Sequence, residues 1–262
     1  MEQPPLRDTA VLFGDSITQY SFAPQGWGAG IAHAFQRKVD VVNRGFSGYT
    51  TRSARAMLKH IFPEQGEADP HLFVTVFFGA NDAAQECDQH VPIEEYEENL
   101  DAILSTIKRR AKHVVMIAPP PVDHVRWPTR HNTHVQRYAA VASRAAERHD
   151  VPCVNLYKEW FKADWMAMLN DGLHFSDAGN QALLQLLLER LPIQPDDLPF
   201  DFPLWRDVLL PDPSIAFRRA FVKSLPYACR HRCEDDCTCC DGDSNSNGNG
   251  NGNGNGNSKA AS

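Results

Sequence analysis

Short apolar runs and amphipathic stretches alternate along most of the chain. The apolar runs predict strands at 9–13, 39–43, 72–78, 113–118 and 151–155. The stretches between them predict helices near 27–36, 50–61, 94–110 and 132–148. Strands that alternate with helices in this way favour an α/β fold, in which a parallel sheet is covered by helices on both faces.

Local signals define one helix face and two element ends. In the third helical stretch, apolar side chains recur at helical spacing and form one face, made of Tyr96, Leu100, Ile103, Leu104 and Ile107. The run Pro119-Pro120-Pro121 ends the fourth strand, because proline cannot continue a sheet ladder. Ser176 has the position of an N-cap for a last helix over 177–191, which stops before Pro192.

A serine follows the first predicted strand within the run Gly14-Asp15-Ser16-Ile17-Thr18. Active sites of α/β proteins collect at the carboxyl ends of strands, which makes Ser16 a candidate nucleophile. The alternative is an ordinary strand-to-helix turn in which Asp15 or Ser16 is the helix N-cap. We assign Asp15 no catalytic role, and its neighbours favour loop or cap hydrogen bonding.

The run Asp171-Gly172-Leu173-His174 supplies the partners that a serine nucleophile needs. A serine hydroxyl requires a general base, and the base requires a third group that fixes its tautomer. Asp171 and His174 lie close enough in sequence to fill these two roles. The alternative is a solvated loop, because with 11 histidines in the chain an aspartate near one of them is unsurprising.

Two further polar segments follow strand-like runs, at 43–50 and 79–82. They contain Gly48 and Asn81. A glycine brings its backbone N–H close to a ligand, and an asparagine amide is a neutral donor; acyl transfer needs such donors where charge develops on the carbonyl oxygen. Each segment is equally compatible with a simple turn.

Taken together, the four segments resemble the blocks of the SGNH hydrolases, also called GDSL esterases or lipases. Ile17 stands where leucine is usual in that family. The runs at 13–19, 43–50, 118–123 and 202–207 resemble the isoamyl acetate-hydrolysing esterase subgroup most. The resemblance covers about residues 8–212, with the blocks in the expected order.

The resemblance implies a flavodoxin-like three-layer α/β/α fold with a five-stranded parallel sheet, the SGNH hydrolase fold. It implies a carboxylic ester hydrolase with Ser16 as nucleophile, His174 as base and Asp171 as its partner. The oxyanion would be held by the Ser16 N–H, the Gly48 N–H and the Asn81 amide, with no cofactor and no metal. The expected substrates are small short-chain esters, with lipid degradation as the metabolic setting, and O-acetyl groups on carbohydrates are the main alternative.

Several aromatic side chains near these segments are candidates for the substrate pocket, although packing in the core is the more common role for such residues: Trp27, Phe46, Tyr49, Phe78 and Trp127. The loop 119–130 either covers the site in part or merely crosses the surface.

Composition narrows the remaining function classes. With 262 residues, 42% of them hydrophobic, the chain can bury one sizeable core. The net charge of −7 argues against a nucleic-acid partner, which would call for a basic patch. No apolar run approaches the length of a membrane span, and the first residues lack the pattern of a secretory signal. We therefore expect a cytoplasmic protein that acts on a small-molecule ester.

Composition also divides the chain into three parts: 1–213, the hydrolase domain; 214–240, a helical and cysteine-rich extension; and 241–262, an Asn/Gly-rich segment. The last part cannot build a core and is expected to be disordered. The extension combines a possible amphipathic helix at 214–227 with a C-x3-C-x3-C-x-C-C pattern formed by Cys229, Cys233, Cys237, Cys239 and Cys240.

The cysteine spacing matches no standard zinc module, which favours a tail without a dedicated ligand. Adventitious metal binding and redox-sensitive thiols remain open. A non-catalytic protein that binds a metal or a partner through this tail is therefore the alternative from another function class. The other two cysteines, Cys87 and Cys153, are too few for a disulfide framework.

Overall fold

A five-stranded parallel sheet lies at the centre of the fold. The structure is a computed structural model and describes residues 8–63, 70–162, 164–208, 212 and 214. The strands are β1 (Thr9–Gly14), β2 (Asp40–Gly45), β3 (His71–Phe77), β4 (Ala111–Ala118) and β5 (Cys153–Asn155). Their order is β2-β1-β3-β4-β5, with every neighbouring pair parallel. The predicted parallel sheet is confirmed.

Helices follow each strand and form two outer layers. They are α1 (Ser16–Gln19), α2 (Trp27–Ala34), α3 (Thr51–Ile61), α4 (Ile93–Lys108), α5 (Asn132–Arg148), α6 (Leu156–Trp160), α7 (Asp177–Arg190) and α8 (Trp205–Val208). Helix α4 packs between α3 and α5, whereas α2 packs against α7. The three-layer α/β/α arrangement is thus confirmed. The sheet and α1 to α7 lie in the compact unit Leu6–Asp201, and α8 belongs to a second unit.

The central strands of the sheet are buried on both faces, which explains why they are nearly continuous apolar runs. In β1, β3 and β4 most side chains are buried, whereas the edge strand β2 is partly exposed. The predicted apolar face of α4 is buried in full. Each large apolar side chain that leaves water in this way stabilises the fold by about 1.5–3 kcal/mol.

The predicted element ends agree with the structure to within two residues. The strand predicted at 151–155 is shorter, because Pro152 has no N–H and only its carbonyl joins β4, as acceptor from the Met116 N–H. The short helices α1 and α6 were not predicted, since four or five residues are too few to show helical periodicity. Ser176 caps α7 by accepting a hydrogen bond from the Gly179 N–H, as predicted.

The predictions for the helix at 214–227 and for the cysteine cluster lie outside the described residues. Among the helices of the described part, none is long and apolar enough to cross a membrane. Cys87 and Cys153 are both free thiols.

The close approach of β2 to α1 yields a prediction about Gly45. A Cβ atom at this position would lie 2.0 Å from the Gln19 nitrogen and 2.5 Å from the Thr18 carbonyl carbon. Both are backbone atoms that cannot rotate away, so Gly45→Ala should displace α1 and lower the free energy of unfolding by about 1–3 kcal/mol. Urea denaturation measures this loss.

Gly30→Ala is the matched control for that substitution. Its added methyl would meet only the end of the Leu184 side chain, which can change rotamer, and alanine is favoured over glycine in a helix. We expect a change of less than about 1 kcal/mol, in either direction. Equal losses of unfolding free energy in the two variants would show that the close contact between Gly45 and α1 does not make position 45 more sensitive to an added methyl group.

Candidate active site

Ser16 is the first residue of α1, and only Asp15 separates it from the end of β1. Asp15 Oδ1 caps this helix by accepting a 2.9 Å hydrogen bond from the Ile17 N–H. The predicted cap interaction of Asp15 is therefore present. Ser16 is 5% exposed and lies at the carboxyl edge of the sheet, where a nucleophile was predicted.

Two side chains from other elements hold α1 in place. The indole Nε1 of the fully buried Trp27 donates to the Ile17 carbonyl at 3.2 Å. The Asn43 amide donates to the Thr18 carbonyl at 2.9 Å. These bonds satisfy carbonyls that a four-residue helix leaves without intrahelical partners. The position of Ser16 is thus fixed by α2 and β2 as well as by its own strand.

The structure brings the three predicted catalytic side chains together. His174 Nε2 lies 2.9 Å from Ser16 Oγ, and His174 Nδ1 lies 2.7 Å from Asp171 Oδ2. A neutral imidazole has one donor and one acceptor nitrogen. Because the carboxylate can only accept, Nδ1 carries the proton, and Nε2 is left as the acceptor for the Ser16 hydroxyl.

Asp171 also fixes the backbone of its own turn. Its Oδ1 accepts hydrogen bonds from the N–H groups of Leu173 and His174, at 2.9 and 2.8 Å. Burial opposes ionisation of this carboxyl, but the hydrogen bonds from the His174 ring and from the two N–H groups outweigh it and lower the pKa of Asp171. The carboxylate therefore stays charged beside the imidazole.

The loop 119–131 holds the segment that carries Asp171 and His174. Within 170–172, all three carbonyls accept hydrogen bonds from this loop. The Arg126 guanidinium donates to the first at 3.2 Å, the Trp127 indole to the second at 3.0 Å and the Asp123 N–H to the third at 2.8 Å. The loop is therefore a support for the site and does not merely cross the surface.

The segments proposed to supply oxyanion donors lie at the same sheet edge. Gly14 pairs with Gly45 on one side and with Phe77 on the other, so β1, β2 and β3 end side by side. The Asn81 amide donates a 2.9 Å hydrogen bond to the Tyr49 carbonyl and so joins the two segments. Gly48 adopts φ +80°, a conformation that favours glycine.

Aromatic rings surround His174. The rings of Tyr20 and Trp127 approach the imidazole edge to face, with centroid distances of 5.6 and 6.1 Å. Tyr20 is 52% exposed, and Tyr49, which stacks on Phe46, is also exposed. Of the aromatic residues predicted from the sequence, Trp27 and Phe78 are fully buried in the core instead.

Three polar or aromatic residues at the site were not predicted. Tyr20 contacts the His174 ring, whereas Arg130 and Gln89 contact the segments proposed to supply oxyanion donors. Nothing in the local sequence marks them, because a tyrosine, an arginine and a glutamine outside any motif are ordinary surface residues. Among the described residues, no group of three or more His, Cys, Asp or Glu is arranged to hold a metal.

Two buried carboxyl groups are sequence neighbours of candidate site residues, Asp15 before Ser16 and Asp82 after Asn81. Asp15 is fully buried, and burial raises its pKa to about 7, although the hydrogen bond from Ile17 acts in the opposite direction. Burial also raises the pKa of Asp82, to about 6, against the hydrogen bonds from Thr51. In each of them Oδ2 has no hydrogen-bond partner within the described part of the chain.

Known proteins resemble this chain in sequence and in structure. The model of the GDSL-like Lipase/Acylhydrolase family matches residues 12–182. A GDSL esterase/lipase of Arabidopsis thaliana is 38% identical over 238 residues, which cover 81% of this chain and 98% of the plant protein. The isoamyl acetate-hydrolyzing esterase of Saccharomyces cerevisiae is 30% identical over 227 residues, which cover 76% of this chain and 94% of the yeast protein. The crystal structure of a lipase/acylhydrolase from Enterococcus faecalis superposes with a TM-score of 0.61 at 28% identity, covering 74% of this chain and 98% of that one.

The raised pKa of Asp15 predicts how stability depends on pH. The folded-state value of about 7 lies above the ordinary value of 3.8, so Asp15 stabilises the fold fully below pH 3.8, and this contribution is lost as the pH rises to about 7. Asp15→Asn keeps the oxygen that caps α1 but cannot ionise. Over this range, the decline of the unfolding free energy with pH should become shallower by up to about 1.4 kcal/mol per pH unit.

Urea denaturation at pH 5, 6, 7 and 8 tests this expectation. Asp88→Asn, at an exposed position, is the control and should leave the slope as in the wild type. An unchanged slope in Asp15→Asn would mean that the Asp15 carboxyl is already ionised in the folded protein at pH 5.

Proposed function

Because this chain belongs to the GDSL-like lipase/acylhydrolase family of carboxylic ester hydrolases, we propose that it is a serine esterase that cleaves small esters through an acyl-enzyme. The observation that carries the proposal is the imidazole of His174, which lies within hydrogen-bond distance of both the Ser16 hydroxyl and the Asp171 carboxylate. That arrangement suits acyl transfer, because one group removes the proton while another stabilises the resulting charge.

In the first half of the reaction, Ser16 Oγ attacks the ester carbonyl while His174 Nε2 takes the hydroxyl proton. A tetrahedral oxyanion forms and then collapses, which breaks the bond to the alcohol. His174 returns the proton to the leaving alkoxide, so that an alcohol departs and the acyl group stays on Ser16. Asp171 stabilises the imidazolium that exists between the two proton transfers.

In the second half, water replaces the alcohol. His174 Nε2 accepts a proton from the water as its oxygen attacks the acyl-enzyme, and the proton passes to Ser16 Oγ when the acid leaves. The Ser16 N–H, the Gly48 N–H and the Asn81 amide would stabilise the oxyanion in both halves. Such donors are effective because they are in place before charge develops.

The proposed substrates are esters with short acyl chains. The yeast relative is named for the hydrolysis of isoamyl acetate, an ester of a short acid and a small alcohol. In this chain Ser16 is nearly buried, and the rings of Tyr20 and Trp127 lie against the His174 imidazole that contacts it, so we propose that these rings form apolar walls for a small ester. Lipid degradation as the setting and a cytoplasmic location stay predictions.

A direct test of the nucleophile compares Ser16→Ala with the wild type on p-nitrophenyl and alkyl esters of graded acyl length. We expect the wild type to prefer acetyl and butyryl esters. Ser16→Ala should lower kcat by about a millionfold, to background, because the acyl-enzyme cannot form. An acetylated xylan in the same panel tests the O-acetyl alternative.

Ser105→Ala, which removes an exposed hydroxyl from α4, is the matched control and should retain wild-type kcat. Circular dichroism should show that both variants are folded, because the substitution of Ser16 leaves the Asp15 cap of α1 in place. Near-normal activity in a folded Ser16→Ala protein would eliminate the proposed mechanism.

The Asn81 amide provides a second prediction. Asn81→Ala should lower kcat by about a hundred- to a thousandfold and leave KM nearly unchanged, because this donor gains most strength when charge develops. Asn81→Asp should be slower still, since it places a carboxylate near the developing oxyanion. Steady-state kinetics on one acetate ester measures both. An effect on KM alone, or equal activity in the two variants, would place Asn81 outside the oxyanion hole.

A further inference from the structure

A buried arginine connects the two segments proposed to hold the oxyanion donors. Arg130 is only 4% exposed, although it lies in a loop. Its Nε donates to the Ala80 carbonyl at 3.1 Å, and its Nη2 donates to Asn81 Oδ1 at 3.0 Å and to Gln89 Oε1 at 2.8 Å. A buried cation with this many directed hydrogen bonds is costly to desolvate and therefore calls for an explanation.

We propose that Arg130 is a positioning residue that fixes both oxyanion donors, Asn81 directly and Gly48 through Gln89. The inference rests on the proposed function, because it assigns Arg130 a role in the same acyl transfer. Arg130 is not a catalytic residue in this account, since it acts through the groups that it holds.

The contacts of Asn81 determine which way its amide points. Oδ1 accepts from the guanidinium, and Nδ2 donates one of its two hydrogens to the Tyr49 carbonyl. If the amide were flipped, its NH2 group would face the N–H groups of Arg130, and its oxygen would face the Tyr49 carbonyl. Neither contact could form a hydrogen bond. Arg130 therefore holds the amide with Nδ2 toward the oxyanion segments, and the second Nδ2 hydrogen is available to a substrate.

Gln89 extends the same support to Gly48. Its Oε1 accepts from Arg130, which leaves its amide nitrogen to donate to the Gly48 carbonyl at 3.0 Å. Glycine can adopt several backbone conformations besides the positive φ that Gly48 has here. A hydrogen bond to the Gly48 carbonyl therefore restricts the backbone of the residue whose N–H is the second proposed donor. One guanidinium thus orients a side-chain amide and a backbone segment together.

Trp127 connects this support to the catalytic histidine. The Arg130 guanidinium lies over the Trp127 ring, 5.2 Å from its centroid, and the indole N–H donates to the Asp171 carbonyl. The apolar ring shields the cation from water and strengthens its electrostatic effect. A fixed positive charge behind the Asn81 carbonyl also polarises the amide and makes its N–H a stronger donor.

A double-mutant cycle separates positioning from general stabilisation. Arg130→Met should lower kcat for an acetate ester by about thirty- to a hundredfold with KM within twofold, because a displaced donor weakens the transition state alone. In an Asn81→Ala background the same substitution should cost only about three- to fivefold, the part that acts through Gln89 and Gly48. Gln89→Met should lower kcat by about three- to tenfold in both backgrounds.

Two further variants separate the loss of kcat from a loss of folding. Arg130→Lys keeps the charge but not the planar fork, so it should remain folded and still lower kcat by about tenfold, and it replaces Arg130→Met if the melting temperature of that variant falls below the assay range. Arg137→Met, at an exposed position of α5, is the matched control and should retain wild-type kcat.

Each outcome supports or overturns the inference. Loss of kcat in the Arg130 variants that largely disappears in the Asn81→Ala background supports positioning. A loss of equal size in both backgrounds, or normal kcat in the folded Arg130 variants while Asn81→Ala is impaired, overturns this inference and leaves the proposed function intact. Absence of Ser16-dependent turnover in the wild type would overturn the proposed function and this inference with it.

Discussion

The site depends on one constraint, which is that a neutral imidazole has a single donor and a single acceptor nitrogen. The Asp171 carboxylate occupies the donor side of His174, so the acceptor side is turned to Ser16 at 2.9 Å. Ser16 and His174 are 158 residues apart in sequence. Their hydrogen bond weakens steeply when the two atoms move apart, so the fold must hold both residues in place. The rest of the fold can be understood as the means of keeping these groups in register.

The parallel sheet supplies the first part of that precision. Strands β1, β2 and β3 end side by side, which places the proposed nucleophile and the two segments with the proposed oxyanion donors along one edge. The second part comes from side chains that satisfy exposed backbone groups. Trp27 and Asn43 bind carbonyls of α1, and the loop 119–131 binds three successive carbonyls of the segment with Asp171 and His174. Backbone carbonyls that would otherwise need water as a hydrogen-bond partner thus hold the site residues in position.

The elements were largely predictable from the sequence, because buried parallel strands are continuous apolar runs and amphipathic helices have their own period. The proximity of Ser16, Asp171 and His174 followed from motifs at element ends. Arg130 and Gln89 could not be found in this way, since their contacts with Asn81 and Gly48 form only when the loops that carry them fold against the segments that follow β2 and β3. Tyr20 was missed because its contact with His174 likewise forms only in the folded protein. The last strand is shorter than predicted because Pro152 has no N–H to donate to the sheet.

The most direct test of this account is to react the protein with a fluorophosphonate and to locate the adduct by mass spectrometry. A serine activated by His174 should be phosphonylated rapidly, on the peptide that contains Ser16 and at no other residue. In a folded His174→Ala variant the labelling rate should fall by about a thousandfold or more, because the Ser16 hydroxyl then lacks the imidazole that accepts its proton. Labelling at another residue, or an undiminished rate at Ser16 without His174, would contradict the account.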